Sequence, residues 1–316
     1  MQEWVLEGLV CPDCLPDEHA LEPKVFKQVS TDILEGELCC PRCGHCYPIQ
    51  KGIAQVLPGQ AREHTGGYDD PVMLSAYLWS HFGDLLSDAR ATDAYRLWAS
   101  HFQPRKGDAL DVGCAVGRLS LDLSATHSRV IGVDTSTSFI AKAREILGTK
   151  ELDFELIIEG RLTEHRHLPL HYGWNFQNVE YIVADAMALP FSRSRFASVA
   201  AINVLEKVPD PYQHLVEVNR VLEKQSSSFL FSDPFSWDPA FSSPERWLGG
   251  TNGNGTYSQR GIETMRRFFA GEFGVFDPPL RIQAQGDVSW RIRKTENLWE
   301  YITSQFLLGY RQGESS

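Results

Sequence analysis

The segment that most constrains this chain is Asp108-Ala109-Leu110-Asp111-Val112, an apolar strand pattern that runs straight into a glycine-bearing turn, Gly113-Cys114-Ala115-Val116-Gly117. A helical pattern follows from Arg118. Glycines at 113 and 117 let the backbone pass close under a ligand, and the helix behind them presents its first N–H groups to the same space. A second apolar run, Arg129 to Val133, ends in Asp134, twenty-one residues after Gly113. At that interval a strand-end carboxylate meets ribose hydroxyls in doubly wound folds. Two strands joined through a helix imply a parallel sheet covered on its faces, so the fold class expected is α/β, doubly wound and Rossmann-like.

The remaining elements follow in order. Val179 to Met187 reads as a third strand ending near Asp185 and Ala186, and Phe196 to Asn203 as a fourth that delivers Asn203 and then Glu206 to its carboxyl edge. Open α/β sheets bind ligands at that edge. A helix over Tyr212 to Leu222 leads to a fifth strand, Ser228 to Ser232, and Trp299 to Tyr310 is expected as a last strand, one that can run antiparallel. Upstream, Leu74, Tyr77, Leu78, Phe82 and Leu85 recur at three- and four-residue spacing from Pro71, and Tyr95, Leu97, Trp98 and Phe102 mark a second helix over Asp93 to Phe102.

Six of the seven cysteines precede residue 47. The start, Met1-Gln2-Glu3-Trp4, carries no basic and apolar leader pattern, and no run approaches the ~18 apolar residues of a membrane span. A cytoplasmic protein is expected, and its cysteines then point to metal rather than to disulfides. They form two CPxC turns, Cys11-Pro12-Asp13-Cys14 and Cys40-Pro41-Arg42-Cys43, whose four thiolates suit one tetrahedral Zn²⁺. Cys39 and Cys46 are expected to be bystanders. Below about 60 residues an apolar core is marginal, so metal would contribute folding free energy directly. The expected organisation is a ribbon over 1–58, a polar Gly-rich linker over 59–70, and an α/β domain over 71–316. Thirty basic against forty-one acidic residues give a net charge of −11. That field disfavours nucleic acid as a partner.

Residues 37–53, ELCCPRCGHCYPIQKGI, resemble the small zinc-ribbon activator of tRNA and protein methyltransferases over about residues 5 to 58. The resemblance implies a stabilising module that docks on a protein partner or supports a dimer and does no chemistry itself. The order D-V-G-C-A-V-G differs from the dinucleotide pattern G-x-G-x-x-G and resembles motif I of class I methyltransferases, which bind S-adenosylmethionine (SAM) on a seven-stranded sheet. It implies Asp111 facing the methionine ammonium through water or the glycine backbone. Gly113, Cys114, Ala115 and Gly117 would form the turn, with Asp134 and Thr135 at the ribose, Asp185 and Ala186 at the adenine, and Asn203 closing the cofactor site. Ala115 stands where that family more often has glycine.

A narrower resemblance, over about 70 to 312, is to the C-terminal mercaptohistidine N-methyltransferase domain of ovothiol-biosynthesis enzymes. It is carried by Tyr77-Leu78 with His81-Phe82-Gly83, Asp111 to Arg118, Asn203 to Glu206, Ser232 to Trp237, Trp247 to Gly250 and Arg291 to Arg293. It implies N-methylation of a small thiohistidine-like imidazole. Glu206, Tyr77 and His81 are then candidate catalytic groups, Trp237 and Trp247 candidate stacking surfaces, and Arg293 a candidate carboxylate clamp. The ribbon is foreign to that family. The rival readings are a tRNA or protein methyltransferase carrying its activator in cis, and a non-catalytic SAM-binding scaffold.

Overall fold

The computed structural model describes residues 1–59, 70–170, 173–252 and 255–313. The strands and α-helices in chain order are β1 (Glu22–Val29), β2 (Asp32–Cys39), β3 (Cys46–Gln50), β4 (Ile53–Val56), α1 (Pro71–Phe82), α2 (Ala94–Ser100), β5 (Asp108–Val112) and α3 (Arg118–Leu123). There follow β6 (Arg129–Asp134), α4 (Thr137–Thr149), β7 (Glu151–Glu159), β8 (Leu162–Pro169), β9 (Val179–Ala184), β10 (Ser198–Ile202) and α5 (Pro211–Val221). The last are β11 (Ser227–Asp233), α6 (Gly261–Phe269), β12 (Arg281–Arg293) and β13 (Trp299–Arg311).

Helix starts are written locally. Asp70 caps α1 by accepting from Val72 N at 3.0 Å, Ser136 caps α4 through Phe139 N at 3.2 Å, and Asp210 caps α5 through Gln213 N at 3.1 Å. Pro71 and Pro211 occupy first-turn positions that need no N–H donor. Each strand expected from the apolar runs is present, and β13 runs antiparallel between β11 and β12. Leu85 falls beyond α1, in a short 3₁₀ turn over Gly83–Leu86.

The seven strands β9-β6-β5-β10-β11-β13-β12 lie side by side, and β1-β2-β3-β4 extend them into one sheet of eleven. The join is parallel pairing of β4 with β9, Gln55 opposite Val183 and Val56 opposite Ala184. Apolar packing is equally continuous, because Val5, Leu9, Ile49 and Val56 share a core with Val112, Ile182 and Phe191. Of the expected linker over 59–70, residues 60–69 lie outside the described residues, while Gly59 N donates to Asp13 at 2.8 Å. The β7–β8 hairpin, α4, α6 and β12 had no place in the sequence reading. The hairpin's sheet is separate from the main one.

Charge reinforces the join. Arg144 of α4 pairs with Asp32 of β2 at 3.0 Å and with Glu180 of β9, whose other oxygen accepts from Gln2 N at 2.7 Å. Glu180 is only 1% exposed, so the pair is buried. Breaking a buried pair by deleting one partner costs about 3–5 kcal/mol. Arg144→Ala is therefore expected to lower thermal stability well beyond a surface substitution, and Arg144→Lys to lower it less, as measured by scanning calorimetry.

Candidate active site and metal centre

The carboxyl ends of β5, β6, β9 and β10 open on one cavity of about 380 Å³. Its cofactor-like wall begins with the turn after β5. Gly113 and Gly117 hold φ of +72° and +87°. A Cβ on Gly113 would run into Val204, and one on Gly117 into the Tyr181 hydroxyl. Ala115 also sits in the left-handed region, at φ +46°, which explains why glycine suits that place. Its N–H donates to Asp134 Oδ2 at 3.0 Å, while Asp134 Oδ1 accepts from Ser136 N at 2.9 Å. Asp134 thus ties the glycine turn to the start of α4 and still lines the cavity.

Asp111 is 2% exposed, accepts from Ser120 Oγ at 2.6 Å and has no basic partner among the described residues. Burial pushes its pKa up to about 7. Asp185 lines the same cavity and caps its own turn by accepting from Met187 N at 2.8 Å. Three acidic side chains on three adjacent strand ends form a cradle with the charge and hydrogen-bonding character that SAM requires, a cation carrying an amino group, a ribose diol and an adenine amine. Among the residues expected at the cofactor, Asp111, Gly113, Cys114, Ala115, Asp134, Thr135, Asp185, Ala186 and Asn203 all line the cavity. Gly117 lies behind them, where its carbonyl accepts from Tyr181 Oη at 2.8 Å.

The lining is also rich in aromatic rings. Tyr77 and His81 of α1, Tyr95 of α2, Phe241 and Trp290 of β12 contribute them. His81 is 3% exposed and stacks on Tyr95 at 3.9 Å between centroids. Burial, with the Arg118 charge adding to it, holds its pKa well below the usual value, so the ring is neutral. Arg118, from the glycine-turn motif, is itself buried. It pairs with Asp84 at 2.7 Å and Asp122 at 3.0 Å and donates to His81 O at 2.9 Å, so it fixes α1 against α3.

Four expected site residues are placed elsewhere. Glu206 is outside the cavity lining. Its carboxylate accepts from Ser236 N and pairs with Lys207 at 3.0 Å, so it braces the segment after β11. Trp237 and Trp247 stack on each other at 6.0 Å, again outside the lining. Arg293 is 4% exposed beneath Trp299, 5.7 Å from its ring centroid. Ring stacking captured Trp237, Trp247 and Arg293, and polar contacts captured Glu206, and no motif distinguishes either from ligand contact. Conversely, Gln55 and Leu57 line the cavity from the ribbon side. Nothing in the sequence marks them, because their place follows from the β4–β9 pairing.

In the ribbon, Cys11 Sγ lies 3.7 Å from Cys43 Sγ and Cys14 Sγ 3.8 Å from Cys40 Sγ, with all four sulfurs within 4.8 Å of one another. A tetrahedron with Zn–S bonds of ~2.3 Å has edges of ~3.8 Å, so the four cysteines fit one Zn²⁺. Tyr47 Oη lies 3.2 Å from Cys11 Sγ and donates to Asp13 at 2.6 Å, which supports the ligand from outside. Cys39 and Cys46 are not idle. They face each other across β2 and β3 and form a disulfide, a correction to their expected role as bystanders.

Residues 110–230 match the family described as methyltransferase domain, and residues 5–52 match the family described as Trm112p-like protein. The chain is 30% identical over 129 residues to a phosphatidylethanolamine N-methyltransferase from Cereibacter sphaeroides, an overlap of 41% of this chain and 52% of that one. It thus spans about half the length of that curated relative. Among solved structures, a SAM-dependent methyltransferase from Methanosarcina mazei overlaps 71% of this chain and 100% of its own at 18% identity and TM-score 0.45. The complex between the Haloferax volcanii Trm112 methyltransferase activator and a methyltransferase overlaps at 14% identity, 76% of this chain and 97% of that one, TM-score 0.43. Overlaps that low do not inform function. Fold and site together define a class I methyltransferase domain of the Rossmann-like kind. The chain carries that SAM-dependent domain with a Trm112-like zinc ribbon joined to its sheet. Among the described residues no helix is long and apolar enough to cross a membrane.

Two outcomes follow. Protein purified without chelator is expected to hold one zinc per chain by elemental analysis, reduced by Cys14→Ser and unchanged by the Cys39→Ser, Cys46→Ser double substitution. For Asp111, a cationic ligand favours the ionised carboxylate. SAM affinity is then expected to be constant above pH 7 and to fall as pH drops below it, by up to about tenfold per unit. Calorimetric titration of Asp111→Asn, whose affinity should be weaker and flat over that range, checks the assignment.

Proposed function

We propose that this chain transfers a methyl group from SAM to a small molecule, with a 5-thiohistidine-like imidazole as the acceptor of choice. The observation that supports it is that one cavity is lined both by acidic groups on three strand ends and by aromatic rings from α1, α2 and β12. Bound SAM supplies a methyl group already activated on a sulfonium. Asp111, Asp134 and Asp185 hold that molecule's polar ends, and the aromatic rings exclude water and limit the acceptor to a flat, compact group. Neutral imidazole has its own nucleophilic lone pair, so alignment does most of the work. His81, buried and held uncharged, contributes a neutral ring to the cavity lining and adds no charge beside the acceptor. Tyr77 packs 4.9 Å from Phe139 and 6.0 Å from His81 between ring centroids.

The second reading is a tRNA or protein methyltransferase with its activator in cis, which the Trm112p-like match over residues 5–52 favours. A net charge of −11 opposes the polyanionic version. Purified chain incubated with methyl-labelled SAM and, in parallel, 5-thiohistidine, histidine and bulk tRNA separates them. Label is expected on 5-thiohistidine, and Tyr77→Phe should lower transfer while SAM affinity persists. Transfer to tRNA with thiohistidine inert overturns the small-molecule reading, and SAM binding without transfer to any acceptor leaves the scaffold.

A further inference from the structure

Asn203 follows the last residue of β10 in the left-handed region, at φ +59°, a conformation asparagine adopts more readily than most residues. Its N–H donates to Ser232 O at 2.7 Å, which anchors it beside β11. The next residue, Val204, packs over Gly113, so Asn203 stands beside the glycine turn and lines the cavity. The direction of its carboxamide is set two strands away. Trp290 Nε1 donates to Ser304 Oγ at 2.9 Å, and Ser304 Oγ donates to Asn203 Oδ1 at 2.6 Å.

That relay has one satisfied orientation. An indole nitrogen only donates, so Ser304 accepts from Trp290 and has a single proton to give. Ser304 is 0% exposed. Turning the Asn203 amide over would set its NH₂ against that hydroxyl and strand the buried proton. Oδ1 therefore faces Ser304 and Nδ2 faces the other way. Among the described residues Nδ2 has no protein partner, and it is not among the buried polar atoms that lack one, so it is open to the cavity.

We infer that Asn203 is a fixed hydrogen-bond donor to the carboxylate of SAM's amino-acid tail, and that Ser304 and Trp290 are the positioning residues that keep it donating. Beside it stand Asp111 and Asp134, acidic groups suited to an ammonium and to hydroxyls. A carboxylate at the same end of the ligand needs a donor, and Asn203 presents one without adding charge. The inference rests on the methyltransferase reading.

The test compares two ligands, S-adenosylhomocysteine, which has the amino-acid tail, and 5′-methylthioadenosine, which lacks it. Calorimetric titration of Asn203→Asp, equal in shape but without the NH₂, is expected to show S-adenosylhomocysteine weakened about tenfold or more, as for loss of a charge-assisted bond. Binding of 5′-methylthioadenosine should be unchanged. Ser304→Ala should show the same ligand-dependent loss at smaller size, and Trp290→Phe, which leaves the Ser304 hydroxyl free to donate, the smallest. Equal weakening of both ligands would mean that Asn203 acts through shape, and unchanged S-adenosylhomocysteine binding would remove it from the site. Either result overturns the inference alone. Wild-type chain that binds neither ligand overturns the methyltransferase reading and this inference with it.

Discussion

The parallel pairing of β4 against β9 is the contact on which the rest of this molecule depends. All six residues of β9 are buried, and an uncovered edge strand offers its free N–H and C=O groups to other chains. Here β4 covers that edge, and β3, β2 and β1 carry the hydrogen-bond ladder outward. The outermost strand, β1, is exposed along its whole length, and it carries Lys24 and Lys27, charges of the kind that blunt edges. The ribbon is thus part of the sheet, and its last strand brings Gln55 and Leu57 to the cavity wall.

This arrangement couples metal to ligand site through ordinary mechanics. Four cysteine sulfurs hold the turn at Pro12–Cys14 against the β2–β3 connection. The same small unit presents Asp32 to Arg144, and Glu18 to Arg220 at 2.9 Å. Small domains depend on such staples because their own cores are marginal. Here the staple also fixes one wall of a cavity whose remaining walls come from strands far along the chain.

Within the cavity, charge and shape are divided between elements. The strand ends supply acidic groups, and the turn after β5 supplies backbone that only small residues can form. The helices before β5 supply rings. Arg118 joins these parts, since a residue of the glycine-turn motif also clamps the end of α1 through Asp84 and the His81 carbonyl. A motif read as cofactor binding is therefore also a packing device.

The sequence by itself determined the elements whose signals are local. The run from Asp108 to Gly117, the carboxylate ending β6 and the CPxC turns depend on neighbours a few residues away, and each was legible. Left-handed turns and capped helices look alike in any fold. Tertiary structure alone decided which side chains face the cavity. Glu206, Trp237, Trp247 and Arg293 carry suitable chemistry, yet the packing after β11 and along β12 left them outside the cavity lining. Gln55, Trp290 and Ser304 gained their places only because strands distant in sequence were brought side by side. A motif records what the backbone must do at one point, whereas an unmarked side chain acquires its role from the strands laid against it.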